Sequence, residues 1–174
     1  MLSTFSSVTS GSIDAIDWPH ITFIASGCSG VVYEVAPGVV AKVSPCIKPE
    51  EAGMQVLLAQ EHLAMPVLGY AQGLRLLPAI RRAACSLHGA RRWTGGPCTC
   101  DQPVDVLLMP RVERICTDDE LDYSEVLILR ERVRQLCWRV YRGMWDCHAG
   151  NLAVYQGRYV ALDFGDMSNR LQSS

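Results

Sequence analysis

An α+β fold is predicted for this chain by three observations. Apolar, β-rich segments fill residues 21–35, 39–43, 73–80 and 104–109, and each is bounded by glycine, proline or polar residues. A helical stretch at 49–62 interrupts these strands, and a longer one at 121–142 follows them. A short hairpin comes last, because Leu152 to Tyr155 and Tyr159 to Leu162 both read as strands around Gln156-Gly157. Strands grouped ahead of a helix and a terminal hairpin suit an α+β arrangement.

Residues 21–35 hold two strand-like runs around a turn of small residues, Ala25-Ser-Gly27-Cys28-Ser-Gly30. Val39 to Val43 continues as a third strand with Lys42 inside it. In 49–62, Pro49 suits a first helical turn, and Ala52, Gln55, Val56 and Ala59 leave one side small or apolar. Gly73 to Ile80 and Val104 to Met109 supply two further strands, and Pro110-Arg111-Val112-Glu113 follows. In 121–142, Val126, Leu129, Val133, Leu136, Cys137 and Val140 recur at spacings of three and four, with arginines opposite.

The chemistry-bearing run is Trp145-Asp146-Cys147-His148-Ala149-Gly150-Asn151, followed after the hairpin by Leu162-Asp163-Phe164-Gly165. An aspartate and an asparagine five residues apart can share one tight loop, and the hairpin returns a second aspartate. The two motifs in this order resemble the catalytic loop and Asp-Phe-Gly of the protein-kinase-like superfamily. The resemblance implies a two-lobed fold: a five-stranded small lobe with one helix over 18–109, then a hinge and a much reduced large lobe over 110–174. Residues 1–17, rich in Ser and Thr, read as a flexible leader.

The same resemblance implies roles. Asp146 would orient or deprotonate an acceptor hydroxyl, and Asn151 and Asp163 would hold magnesium against the phosphates. Gly27, Gly30 and Val32 match the second and third glycines and the valine of the phosphate-covering loop, with Ala25 where the first glycine would stand. Lys42 would bind phosphates, and Ala41 beside it would line the nucleotide site. Fourteen of the sixteen basic residues are arginine, so a lysine kept within an apolar strand points to a need for a compact ammonium. Glu51 is the choice to pair with Lys42, with Glu50 and Glu61 as alternatives. Backbone groups around Met109, Arg111 and Val112 would meet adenine, and Pro110 has no N–H to give.

Asp146-x-His148-x-Gly150-Asn151 is closer to aminoglycoside and choline phosphotransferases than to the His-Arg-Asp of eukaryotic-type protein kinases. His148 either contacts the γ-phosphate or braces the loop. The resemblance spans residues 20–166, about the first two-thirds of a conventional kinase, and the chain ends nine residues after Gly165. An activation segment and the later helices are therefore not expected. The underside of the 121–142 helix is left as a surface for a second copy of the chain.

Composition limits the remaining classes. The net charge of −2 gives no reason to expect nucleic acid, and Arg81-Arg82 and Arg91-Arg92 form a local basic patch. No apolar run is long enough to span a bilayer. The eight cysteines are scattered and suit free thiols. Cys85, His88, Cys98 and Cys100 offer four soft ligands in the 81–103 insertion, with Asp101 nearby, and can hold a structural zinc; unmetallated loop thiols are the commoner outcome at this spacing. The expected activity is ATP- and Mg-dependent phosphoryl transfer, first to a protein Ser or Thr. A small-molecule kinase and a catalytically silent binding module are the alternatives. A cytoplasmic site is expected, and low lysine content with a Ser/Thr-rich start also suits an effector delivered into a host cytosol.

Overall fold

The computed structural model describes residues 13, 16–27, 30–44, 47, 49–77, 80, 103–141 and 145–164. Within them the protein is mixed α+β, with a five-stranded antiparallel sheet, a three-stranded sheet and two helices. The chain divides into two compact units, residues 1–47 with 68–110, and residues 48–67 with 111–174. Among the described residues no helix is long and apolar enough to cross a membrane.

The first unit is built on β1 (Thr22–Gly27), β2 (Gly30–Ala36), β3 (Val39–Ser44), β4 (Gly69–Leu74) and β5 (Val104–Pro110), in the order β1-β2-β3-β5-β4. Successive residues of a strand point to opposite faces, so alternate residues share one. Val31 and Tyr33, Ala41 and Val43, and Val104, Val106 and Leu108 accordingly form one buried cluster. Register places Val32 and Leu107 beside Lys42 on the other face. Asp105 is buried on that second face, where its carboxylate accepts the N–H groups of Ile47 at 2.8 Å and Gly73 at 2.9 Å.

Two expectations shift here. The fourth strand begins at Gly69 and stops at Leu74, whereas the sequence placed it at 73–80. Gly73 has φ +69, and the pairing with β5 is irregular between Ala71 and Leu74, so the ladder breaks where the sequence reading began it. The 1–17 leader is also not wholly apart from the fold: Ile13 is buried in the first core and Ile16 packs against it, because Leu74 and Leu76 offer them an apolar face.

The second unit holds α1 (Pro49–Gln60), α2 (Ser124–Tyr141), β6 (Arg114–Ile115), β7 (Leu152–Tyr155) and β8 (Arg158–Ala161). Helix α1 buries Ala52, Gly53, Met54, Gln55 and Leu58, a stripe displaced from the predicted one, with Val56 and Ala59 half-buried. Its Met54 and Leu58 belong to the cluster formed by Val126, Leu129, Val133 and Cys137 of α2 with Trp145, Leu152 and Phe164. The sequence division at 109/110 groups this helix with the strands; its buried side chains place it in the second unit. Beyond it, Ala161 N–H donates to the Leu63 carbonyl at 2.8 Å, and Ala64 bridges to Ala161, which ties this connection to β8.

Helix α2 follows the predicted periodicity through Cys137. Leu136 packs at the margin of the core, and Val140 is exposed because the helix has run past it. The helix starts at Ser124 rather than 121, because residues 118–122 form a separate 3-10 turn and Tyr123 is extended. That turn is anchored by Glu120. It accepts both N–H arms of Arg114 at 2.6 Å, the Tyr159 hydroxyl at 2.9 Å and the Thr117 N–H at 2.9 Å. The Arg114 fork, first among these, holds the Glu120 carboxyl well below its usual range, at about 2. The predicted hairpin is present as β7 and β8, with Gln156 (φ 50) and Gly157 (φ 69) both left-handed, as a two-residue turn of this type requires.

Candidate functional site

The loop between α2 and β7 and the segment after β8 are joined by a short series of hydrogen bonds. Asn151 Nδ2–H donates to the Asp146 carbonyl at 2.8 Å, and Asn151 N–H donates to the His148 carbonyl at 2.9 Å. Leu162 N–H then donates to the Asn151 carbonyl, also at 2.8 Å. A carbonyl can only accept, so the amide nitrogen of Asn151 must face Asp146 and Oδ1 is the atom left to ligate.

Trp145 completes the link. Its indole N–H is shared between the carbonyls of Leu162 at 3.1 Å and Asp163 at 3.2 Å, and its ring lies 6.0 Å from that of Phe164. Trp145 and Phe164 are both buried in the second core, so the two motifs are pinned from beneath. A buried tryptophan needs a partner for its N–H, and here that partner is the backbone of the second motif. The position next to Asp146 carried this signal in the sequence, but the sequence reading assigned Trp145 no role.

Asp163 has φ 48, in the left-handed region. Non-glycine residues seldom adopt it, and aspartate does so more readily than most. Such backbone conformations persist where the surroundings hold them, and they gather at functional sites. Asp146 and His148 are exposed, while Asn151 and Asp163 are half-buried. A Cβ on Gly150 would lie 2.9 Å from His148 Cε1 and 3.0 Å from Nδ1, so a side chain there would push the exposed His148 ring aside. The His148 ring thus lies over Gly150.

Asn151 and Asp163 each carry a side-chain oxygen able to hold a hard cation. One carboxylate and one amide oxygen make an incomplete set, which suits magnesium, a cation that keeps waters and takes phosphate oxygens. Among the described residues no group of three or more His, Cys, Asp or Glu side chains could hold a metal by itself. Cys85, His88, Cys98, Cys100 and Asp101 lie outside the described residues, as does Cys28. Cys116, Cys137 and Cys147 are free thiols, as expected. Burial pushes the Cys147 thiol up in spite of nearby Arg130, and pushes Cys137 up to about 12, so neither is poised as a thiolate nucleophile.

In the first unit, Gly30 lies against Lys42. A Cβ on Gly30 would meet the Val43 carbonyl oxygen at 2.8 Å and Lys42 Cγ at 3.3 Å. Gly27 pairs with Gly30 at the end of the β1–β2 hairpin, and Val32 pairs with Lys42. Ala41 does not join them. It is fully buried in the first core with Val31, Tyr33 and Val43, because adjacent strand residues point to opposite faces. The neighbour that shares the Lys42 face is Val40, two residues away and paired with Met109. Strict alternation along Val39 to Val43 would have found it.

Met109 is half-buried near the end of β5; Arg111 is exposed and Val112 half-buried just after it. Glu51 is half-buried in the first turn of α1, and Glu50 is exposed. Glu61 lies past the helix end, with its carboxylate 4.0 Å from Arg132. No protein-family model and no curated protein matches this chain.

Proposed function

We propose that this chain is an ATP- and Mg-dependent phosphotransferase of protein-kinase-like fold, transferring the γ-phosphoryl group to a hydroxyl, with a protein Ser or Thr as first acceptor. The observation that carries the reading is the joined pair of loops. Asn151 is tied to Asp146, Trp145 to Leu162 and Asp163, and Asp163 is held left-handed. The order of elements supports it as well: five antiparallel strands with a helix between the third and fourth, then a long helix, a loop, a hairpin and a second loop.

In this reading the Asp146 carboxylate orients the acceptor hydroxyl and takes its proton. The hydroxyl oxygen bonds to the γ-phosphorus as the bond to the β–γ bridging oxygen breaks, and ADP leaves. Bound magnesium neutralises charge on the phosphate oxygens. Asn151 Oδ1 and the Asp163 carboxylate would hold it. Lys42 and Glu51 keep the roles that the resemblance gives them, Gly30 allows close approach to Lys42, and Val40 takes the lining role expected of Ala41. The exposure of Asp146 favours an acceptor carried on a macromolecule.

A small-molecule kinase is the second reading, favoured by Asp146-x-His148-x-Gly150-Asn151. Labelled ATP with magnesium, offered to a cell lysate and to a panel of aminoglycosides, choline and other alcohols, separates the two. Protein bands labelled by wild type and not by Asp163→Asn support the first. Transfer confined to the panel establishes the second. Magnesium-dependent ATP binding without transfer to either leaves a binding module and overturns both.

A further inference from the structure

The face of α2 opposite its buried stripe carries large apolar side chains. Leu127, Ile128 and Trp138 are 47%, 62% and 49% exposed. We propose that this face takes a second copy of the chain as an antiparallel, two-fold symmetric helix pair. This inference is independent of the phosphotransfer reading.

The pattern of residues selects that occupant. About a centre between Arg132 and Val133 the exposed face is complementary to itself: Glu131 and Arg134 flank it, then Leu127 and Trp138, and Glu125 and Arg139 lie further out, centred half a residue away on Arg132. At 3.6 residues per turn, Leu127 and Trp138 are about three turns apart and lie on one flank of the helix; Glu125 and Arg139 are about four turns apart and share the other. A two-fold axis perpendicular to the helix sets each flank against the same flank of the second copy. Each Trp138 then covers a Leu127 of the other copy, and each Glu125 meets an Arg139. Ile128 lies beside these against Gln135. A parallel pairing would instead set like residues against each other, acid on acid and arginine on arginine.

The remaining charges fit. Glu131 accepts from Arg134 at 3.0 Å and from Gln135 at 2.7 Å within its own helix, so the centre of the face is neutral before association. Arg132, nearest the axis, comes close to Arg132 of the second copy, and each has the Glu61 carboxylate of its own chain at 4.0 Å to offset its charge. One helix pair is at the small end of interface sizes, so the dimer is reversible and concentration-dependent.

Sedimentation velocity of the full chain, from about 1 to about 300 μM, tests this. Wild type should pass from monomer to dimer across the range, and Trp138→Ser should raise the half-association concentration at least about tenfold, as loss of an aromatic anchor does. Glu125→Arg and Arg139→Glu should each weaken self-association. Mixed in equal amounts, those two variants should form a dimer, because each substituted position then meets its opposite charge in the other chain. Circular dichroism confirms that these exposed substitutions leave the fold intact. Wild type that stays monomeric, a dimer indifferent to Trp138→Ser, or a mixture no more associated than the separate variants would each overturn the proposal.

Discussion

Replacing Trp145 by phenylalanine isolates the bond that joins the two loops. The smaller ring keeps an aromatic contact with Phe164, now 6.0 Å from the indole, but removes the N–H shared by the Leu162 and Asp163 carbonyls at 3.1 and 3.2 Å. Losing a buried donor and leaving its acceptors short costs about 1–2 kcal/mol. The missing ring volume adds about 1 kcal/mol, since the site is packed among Val133, Cys137 and Leu152. At about 2–4 °C per kcal/mol for a chain of this length, the melting temperature should fall by about 4–12 °C. Asp163 loses the constraint at its own carbonyl, and its left-handed backbone can relax; a change of about 1.4 kcal/mol there weakens magnesium-dependent ATP binding about tenfold. Thermal melts and magnesium titrations of ATP binding read both effects. A variant that melts within about 1 °C of wild type with the same magnesium midpoint would refute the reasoning, because the indole N–H would then be holding nothing.

Gly30→Ala sets a Cβ 2.8 Å from the Val43 carbonyl and 3.3 Å from Lys42 Cγ; β3 must shift, destabilising the protein by about 1–3 kcal/mol in urea melts and lowering ATP affinity. Asp105→Ala removes the acceptor for the Ile47 and Gly73 N–H groups and should cost about 2–4 kcal/mol by the same melts, with Asp105→Asn losing less because it keeps one acceptor oxygen. For Glu120 the folded carboxyl is depressed from 4.5 to about 2, so its contribution is complete above about pH 4.5 and is lost as pH falls toward 2. Melting temperature followed over that window should fall less steeply in Glu120→Gln than in wild type; parallel curves would show that the Arg114 fork does not govern acid sensitivity.

Much of the fold was legible because its signals are local. Gln156-Gly157 between two apolar runs named the β7–β8 hairpin, and the three- and four-residue spacing of Val126, Leu129, Val133 and Cys137 named α2. What escaped depended on distant partners. The bulge at Gly73 is set by Asp105, thirty-two residues on, and the burial of Ile13 needs Leu76. Ala41 was misplaced for a different reason: its position in a motif was followed where strand alternation pointed to Val40. In the site, Asp146, Asn151 and Asp163 were readable as residue types at a spacing. The left-handed Asp163 exists only once the hairpin has folded back, so no local pattern announces it; Trp145 beside Asp146 was a visible signal, but its partner carbonyls are set by that same return of the chain.

The most direct test of the central claim is a calorimetric titration of ATP into wild type and Asp163→Asn, with and without magnesium. Asparagine tolerates the left-handed backbone at position 163, so the substitution removes the charge without straining the backbone there. The account predicts ATP binding by wild type that tightens with magnesium, and an Asp163→Asn variant whose binding no longer responds to the metal. Wild type that ignores magnesium, or a variant that responds as wild type does, would contradict it.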